Sequence, residues 1–212
     1  MAIEASRRRA GEADLLTPRG VVLFRSGCPD DMIRELKIDA GIGQLTRFNH
    51  TIERERLIDT ARRPDGCVTL AYTQDAVIVG YVVVAQPDPR DRWGNVKGVY
   101  EMLAIDVSKH WRGRGIGRKL LRQAFAAPVW GERIVFATAY AWHWDLAGTG
   151  LTKAAYAKML ANLVRPAGFL PRETDEPNIR WDEANMLLVR IGSNVDDAHY
   201  YSFQARLFEY RF

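Results

Sequence analysis

The stretch His110-Trp111-Arg112-Gly113-Arg114-Gly115-Ile116-Gly117 constrains this chain more than any other. It follows the apolar run Leu103-Ala104-Ile105-Asp106-Val107, and it opens an apolar period of Ile116, Leu120, Leu121 and Ala124 at helical spacing. An extended strand that halts at clustered glycines and re-enters as a helix presents main-chain N–H groups at the positive end of a helix dipole. That is a seat for an anion. Arg112 and Arg114 add guanidinium groups able to fork onto phosphate oxygens, so a pyrophosphate suits the seat. Two common nucleotide loops are excluded. No Gly-x-x-x-x-Gly-Lys-Ser/Thr can be laid over the stretch, and the third glycine of Gly-x-Gly-x-x-Gly would fall on Arg118.

Around this loop the pattern predicts a mixed α/β sheet. Strands are expected over 20–25, 67–72, 77–85, 99–107, 133–139, 168–170 and 186–191, with 67–72 and 77–85 paired as an antiparallel hairpin. Helices are expected after Pro29, which suits the first helical position, and over 51–62, 116–125 and 152–165, with a last one from about Asp196. The fourth of these should bury Tyr156, Met159, Leu160, Leu163 and Val164, and the last should carry Tyr201, Ala205 and Phe208. Residues 1–17 are polar, include Arg7-Arg8-Arg9 and lack an apolar period. They read as a flexible arm before a single domain over 18–212.

Composition narrows the class. The 212 residues are 47% hydrophobic and 26% charged, enough for a core, and no apolar run is long enough to span a bilayer. The two cysteines, Cys28 and Cys67, make no disulfide framework, and no leader pattern opens the chain, so residence in the cytoplasm is expected. A net charge of +4 invites a nucleic-acid reading through Arg112, Arg114, Arg118, Lys119 and Arg122 beside Trp111. Helical spacing spreads those cations around the helix instead of along a stripe, so no nucleic acid is expected. Trp142-His143-Trp144-Asp145 offers one imidazole and one carboxylate, short of a closed zinc site, and no metal is expected.

The Arg-x-x-Gly-x-Gly spacing directly after the strand resembles the acetyl-CoA loop of the GNAT superfamily of N-acetyltransferases, whose order of elements is also similar. The resemblance extends to Gly80-Tyr81-Val82, Pro87-Asp88-Pro89 with Arg92-Trp93, Glu101 before Leu103-Ala104-Ile105, Trp142-His143-Trp144-Asp145-Leu146, Thr174-Asp175-Glu176-Pro177 and Arg190-Ile191-Gly192. Together these resemble the bacterial acetoin-utilisation acetyltransferases of the AcuA type, over roughly 77–194. The resemblance implies a GNAT fold, a mixed central sheet flanked by helices, here with an added C-terminal helix. It implies acetyl-CoA as donor, held by Leu103, Ala104 and Ile105 of the strand and by Arg112, Gly113, Arg114, Gly115, Ile116 and Gly117 of the loop. It also implies a protein acetyltransferase that modifies a lysine of acetyl-CoA synthetase and inactivates it.

Acetyl transfer to an amine needs a base, an oxyanion donor and a proton for the leaving thiolate. A lysine amine titrates near 10.4 in water, so it must surrender a proton before it attacks. Glu101 is the candidate base: residues 99, 101, 103, 105 and 107 of one strand share a face, and an apolar flank raises a carboxyl pKa. On strand position alone an edge carboxylate paired with an arginine is the competing account; the Glu-x-x-Ala-Ile pattern of the resembled family favours the base. Main-chain N–H groups near 103–105 are the expected oxyanion donors, where the superfamily strand bulges. Tyr156 matches a tyrosine of the family and is the candidate acid, with a core tyrosine as the competing account and Tyr140 in reserve. Trp142 to Asp145 suits a surface that receives another protein, with His143 or Asp145 touching the loop of the substrate lysine. Two other functions share these features: a small-amine acetyltransferase with a closed acceptor pocket lined by acids, and a binding protein that senses acetyl-CoA without catalysis.

Overall fold

A strand rich in Val and Ile over its whole length is suited to burial on both faces, and one such run, residues 77–85, lies in the middle of the sheet. The computed structural model describes residues 13–43 and 50–209. Its strands are β1 (Ala13–Thr17), β2 (Gly20–Arg25), β3 (Lys37–Ile38), β4 (Cys67–Thr73), β5 (Val77–Ala85), β6 (Val99–Val107), β7 (Ile134–Ala139), β8 (Phe169–Arg172) and β9 (Met186–Ile191). The helices are α1 (Asp30–Glu35), α2 (His50–Arg62), α3 (Ile116–Ala124), α4 (Leu146–Thr149), α5 (Lys153–Val164), α6 (Pro177–Arg180) and α7 (Asp197–Ala205). The sheet runs β1-β2-β4-β5-β6-β7-β9-β8, with β3 on β5, and its neighbours are antiparallel except at β6–β7 and β3–β5.

One face of the sheet packs Val82, Val84, Met102, Val135 and Leu188 against Ile116, Leu120, Leu121 and Ala124 of α3. The opposite face holds two clusters, one under α1 and α2 around Leu70, Ile78 and Val83, the other under α7 around Trp93, Phe136 and Val189. Fully burying a side chain such as Leu120 contributes roughly 1.5–3 kcal/mol, so α3 is held by its apolar stripe.

Four expectations change. The polar arm ends sooner than 1–17, because Ala13–Thr17 pairs with β2 and Leu15 packs against the core while Leu16 faces out. A hydrogen bond from Thr17 Oγ1 to Gly20 O at 2.8 Å closes that hairpin. Residues 1–12, with Arg7-Arg8-Arg9, lie outside the described residues. Pro29 caps α1 instead of starting it, its ψ of 161° being extended. In α7 the buried residue is Phe203, Tyr201 points outward, and Phe208 packs from beyond the helix end. In α5 only Tyr156 and Val164 are buried. The rest of its apolar stripe faces an open cleft.

Two irregularities in β6 create that cleft. Strands β6 and β7 pair in parallel only at Val99–Ile134, Tyr100–Val135 and Glu101–Phe136. Beyond them β6 follows β5 to Val107 while β7 follows β9 to Ala139, and the sheet parts down its middle. The register with β5 also slips: Val83 opposes Ala104 but Val84 opposes Met102, which leaves Leu103 as the extra residue of a bulge, 46% exposed.

Candidate active site

The bulge decides which residue faces which side. Strict alternation would put Glu101 with Ile105 and Val107 on the face leading to the glycine loop. With Leu103 inserted, Tyr100, Met102, Ile105 and Val107 share the α3 face, while Ala104 packs on the opposite side and Val99 packs there beneath α7. Glu101 alternates with Tyr100 and Met102, so it lies on the side opposite the loop-facing residues. This corrects the expectation of a shared face.

On the α3 side the parted strands floor a cleft of about 740 Å³. Its walls include Leu103, Ala104 and Ile105 from β6, Arg112, Gly113, Gly115, Ile116 and Gly117 from the loop, and Met159, Leu160 and Leu163 from α5. Tyr156, Tyr140 and Trp144 also line it. Of the predicted donor-site residues only Arg114 does not line it; of the two predicted catalytic residues Tyr156 does and Glu101 does not.

The loop is shaped by its glycines. Gly113 and Gly115 have φ of 76° and 78°, a region that costs other residues strain, and no atom lies within 4 Å of a Cβ at either, so the space over them is open. The first helical hydrogen bond runs from Lys119 N to Gly115 O at 3.1 Å, so the preceding amides stand at the helix entrance with the dipole behind them. The guanidinium groups are turned inward instead. Arg114 Nη1 donates to Arg112 O at 2.9 Å and to His110 O at 3.3 Å, bracing the turn. Arg112 Nε donates to Val107 O at 3.1 Å, and its Nη1 donates to Asp145 Oδ2 at 2.7 Å.

Across β6 lie several buried or half-buried acids. Burial, with a smaller contribution from the nearby Asp91 charge, pushes the Glu101 carboxyl up to about 7. A carboxyl poised there is half ionised at neutral pH, which is where a general base is most effective. Farther along the same face the Tyr81 hydroxyl donates to the Glu53 carboxylate, and Gly43 N donates to Asp106 Oδ2 at 3.0 Å. Burial pushes the Asp106 carboxyl upward.

Tyr156 is buried and stacks on Trp144, centroids 5.0 Å apart at 14°, and desolvation raises its hydroxyl above the ordinary value. It stays protonated at neutral pH, as an acid must. Tyr140 stacks on Trp142 at 4.5 Å and 7°, and Trp142 is 55% exposed. Burial raises the Tyr140 hydroxyl, and the charges of Glu176, Glu101 and Asp91 add to the effect. The Trp142–Asp145 segment is therefore divided: Trp142 N–H donates to His143 Nε2 at 3.0 Å near the surface, while Asp145 turns inward to Arg112. That clamp escaped sequence reading. Its trace is the Asp145-x-x-Gly148 pattern of a helix cap, in which Gly148 N donates to Asp145 Oδ1 at 2.9 Å. Among the described residues, no helix is long and apolar enough to cross a membrane.

Comparison with known proteins agrees with this geometry. The acetyltransferase (GNAT) family matches residues 31–140. The acetoin utilization protein AcuA of Bacillus licheniformis is 33% identical over 202 residues, 94% of this chain and 94% of that protein. The Bacillus subtilis AcuA is 36% identical over 171 residues, 79% of this chain and 81% of that protein. The crystal structure of an acetoin utilization protein from Exiguobacterium sibiricum superposes with a TM-score of 0.90 at 31% identity, covering 95% of each chain. By these matches the chain belongs to the GNAT family of acetyltransferases, beside the AcuA proteins, and is an N-acetyltransferase that uses acetyl-CoA as donor.

Proposed function

We propose that the acceptor is a protein lysine, that of acetyl-CoA synthetase, and that its acetylation inactivates the synthetase. The supporting observation is the division of labour across β6: the donor cleft opens on one face, and Glu101, pushed up to about 7, stands on the other, beside the gap. A lysine side chain is long and slender enough to reach through such a gap from the far side. The acidic surroundings of Tyr140 suit its ammonium, and exposed Trp142 suits contact with a protein surface.

In this reading the amides of Gly113, Gly115, Ile116 and Gly117 hold the pyrophosphate, and the acyl arm lies along Leu103 to Ile105. Glu101 takes a proton from the ammonium, and the freed amine attacks the thioester carbon. The carbonyl oxygen, negative in the tetrahedral intermediate, is met by main-chain N–H groups at the bulge. The C–S bond then breaks, Tyr156 gives its proton to the departing thiolate, and the attacking nitrogen gives its second proton to the tyrosinate, directly or through water, so that the new C–N bond remains as a neutral amide and Tyr156 is restored. We assign the reaction to the cytoplasm, in keeping with Cys28 and Cys67 standing outside any disulfide.

Buried Glu53 and Asp106 on the acceptor side favour a second reading, a small cationic amine as acceptor. Incubation with acetyl-CoA and purified synthetase, followed by mass spectrometry of the synthetase lysines, separates the two. An acetylated lysine with loss of synthetase activity is expected. No mass shift, with turnover on a panel of polyamines, refutes the protein acceptor. Inhibition of the synthetase that survives intact in Glu101→Gln refutes catalysis as its cause and leaves a binding protein.

A further inference from the structure

We propose that Asp145 is a positioning residue of the donor site: it holds Arg112 as a strut across the open ends of β6 and β7 and so fixes the width of the gap in which the thioester reacts. Past Glu101 and Phe136 the two strands share no ladder pairing. The Arg112 guanidinium touches both arms of the opening. Its Nε donates to the carbonyl of Val107, the last residue of β6, and its Nη1 donates to Asp145, on the segment that prolongs β7 past the mouth of the cleft.

The pair is better sheltered than a surface ion pair, with side chains 30% and 17% exposed, and its hydrogen bond is charge-assisted. Hydrogen bonding to Arg112 also holds the Asp145 carboxyl below the usual carboxylate range. Asp145 is itself anchored. Its second oxygen accepts from Gly148 N at 2.9 Å, its carbonyl accepts from Thr149 N at 3.1 Å, and a Cβ at position 148 would lie 2.4 Å from Oδ1, so only glycine admits this approach. The neighbouring Trp144 stacks on Tyr156. A shift of Asp145 therefore moves the β6 end, the start of the glycine loop and the packing of the candidate acid together.

The alternative is that Arg112 grips phosphate and Asp145 merely competes for it. The two ideas predict opposite signs, because removing the Asp145 charge would release Arg112 to the phosphate in one and slacken the gap in the other. Calorimetric titration of the full chain with acetyl-CoA decides. Asp145→Asn, which keeps an acceptor for Gly148, is expected to weaken binding about tenfold. Arg112→Gln is expected to weaken it by a similar factor, and the double variant by no more than either alone. Tighter or unchanged binding in Asp145→Asn, or additive losses dominated by Arg112→Gln, overturns the proposal. A lowered melting temperature with an unmoved Kd overturns it as well. Should Asp145→Asn not fold, Arg112→Lys decides: it keeps a cation for phosphate but loses the donation to Val107, so near-parental binding overturns the strut and a similar weakening supports it.

Discussion

On the α3 face of β6 the glycine loop presents main-chain amides beside hydrocarbon walls; on the other face Glu101 and the Tyr81–Glu53 pair set carboxyls behind the strand. Gly113, Gly115 and the α3 entrance present fixed dipoles that do not titrate. Glu101 and Asp106 lie where burial raises their carboxyls, so that side responds to pH. In the proposed mechanism, binding of the donor and activation of the acceptor are therefore physically separable, although a single strand serves both.

That separation can be broken from either side. The largest effect is expected from Glu101→Gln, which should lower kcat about 10³-fold while leaving the acetyl-CoA Kd unmoved in calorimetry. The pH profile sharpens the point. The raised carboxyl is protonated below about 7 and ionised above it, so the parental rate should climb through that pH, and the Gln variant should lose the climb. The sign for stability is the reverse. Between the ordinary carboxyl range and about 7 the folded state binds more protons than the unfolded one, so the parent loses stability as pH rises through that window. Glu101→Gln should therefore melt a few degrees higher than the parent at pH 8.

Gly115→Glu should weaken acetyl-CoA binding by about 10² in the same titration, since a side chain at φ 78° is strained and its carboxylate faces the pyrophosphate. An unchanged Kd would remove the loop from the donor site. Tyr156→Phe should cost about tenfold in kcat and erase the alkaline limb of the profile, with Kd preserved. If the limb persists, Tyr140 takes over as the candidate. The smallest effect is expected from Trp142→Ala, roughly threefold in the KM for the acceptor alone, because its ring is half exposed and already stacked on Tyr140.

Much of the donor face was legible in the sequence. The glycine positions of the loop and the period of Ile116, Leu120, Leu121 and Ala124 report local backbone needs, and both became the elements they describe. The acceptor face was less legible because it depends on one inserted residue. Leu103 looks like any apolar strand residue, and only pairing with Val83 and Val84 reveals the slip that turns Glu101 away from the loop. The inward turn of Arg112 was hidden for a similar reason, since Asp145 is distant in sequence and its cap is a single turn. The α5 stripe misled in an instructive way: Met159, Leu160 and Leu163 are apolar because they wall the cleft, and sequence does not distinguish a wall from a core.

A sheet that parts in its middle possesses two rims within its own interior, each with unspent pairing groups of the kind that invite another chain to add on. Here α5 and the turn after β7 line the cleft between those rims, which narrows the approach for anything as broad as a foreign strand. Coenzyme A is narrow and carries amides of its own, which makes it a fitting guest for the seam. The free protein should accordingly clump more readily on warming than the protein saturated with donor, which gains stability by mass action. In a cell, the abundance of the metabolite would then govern how long the enzyme persists as well as how fast it works.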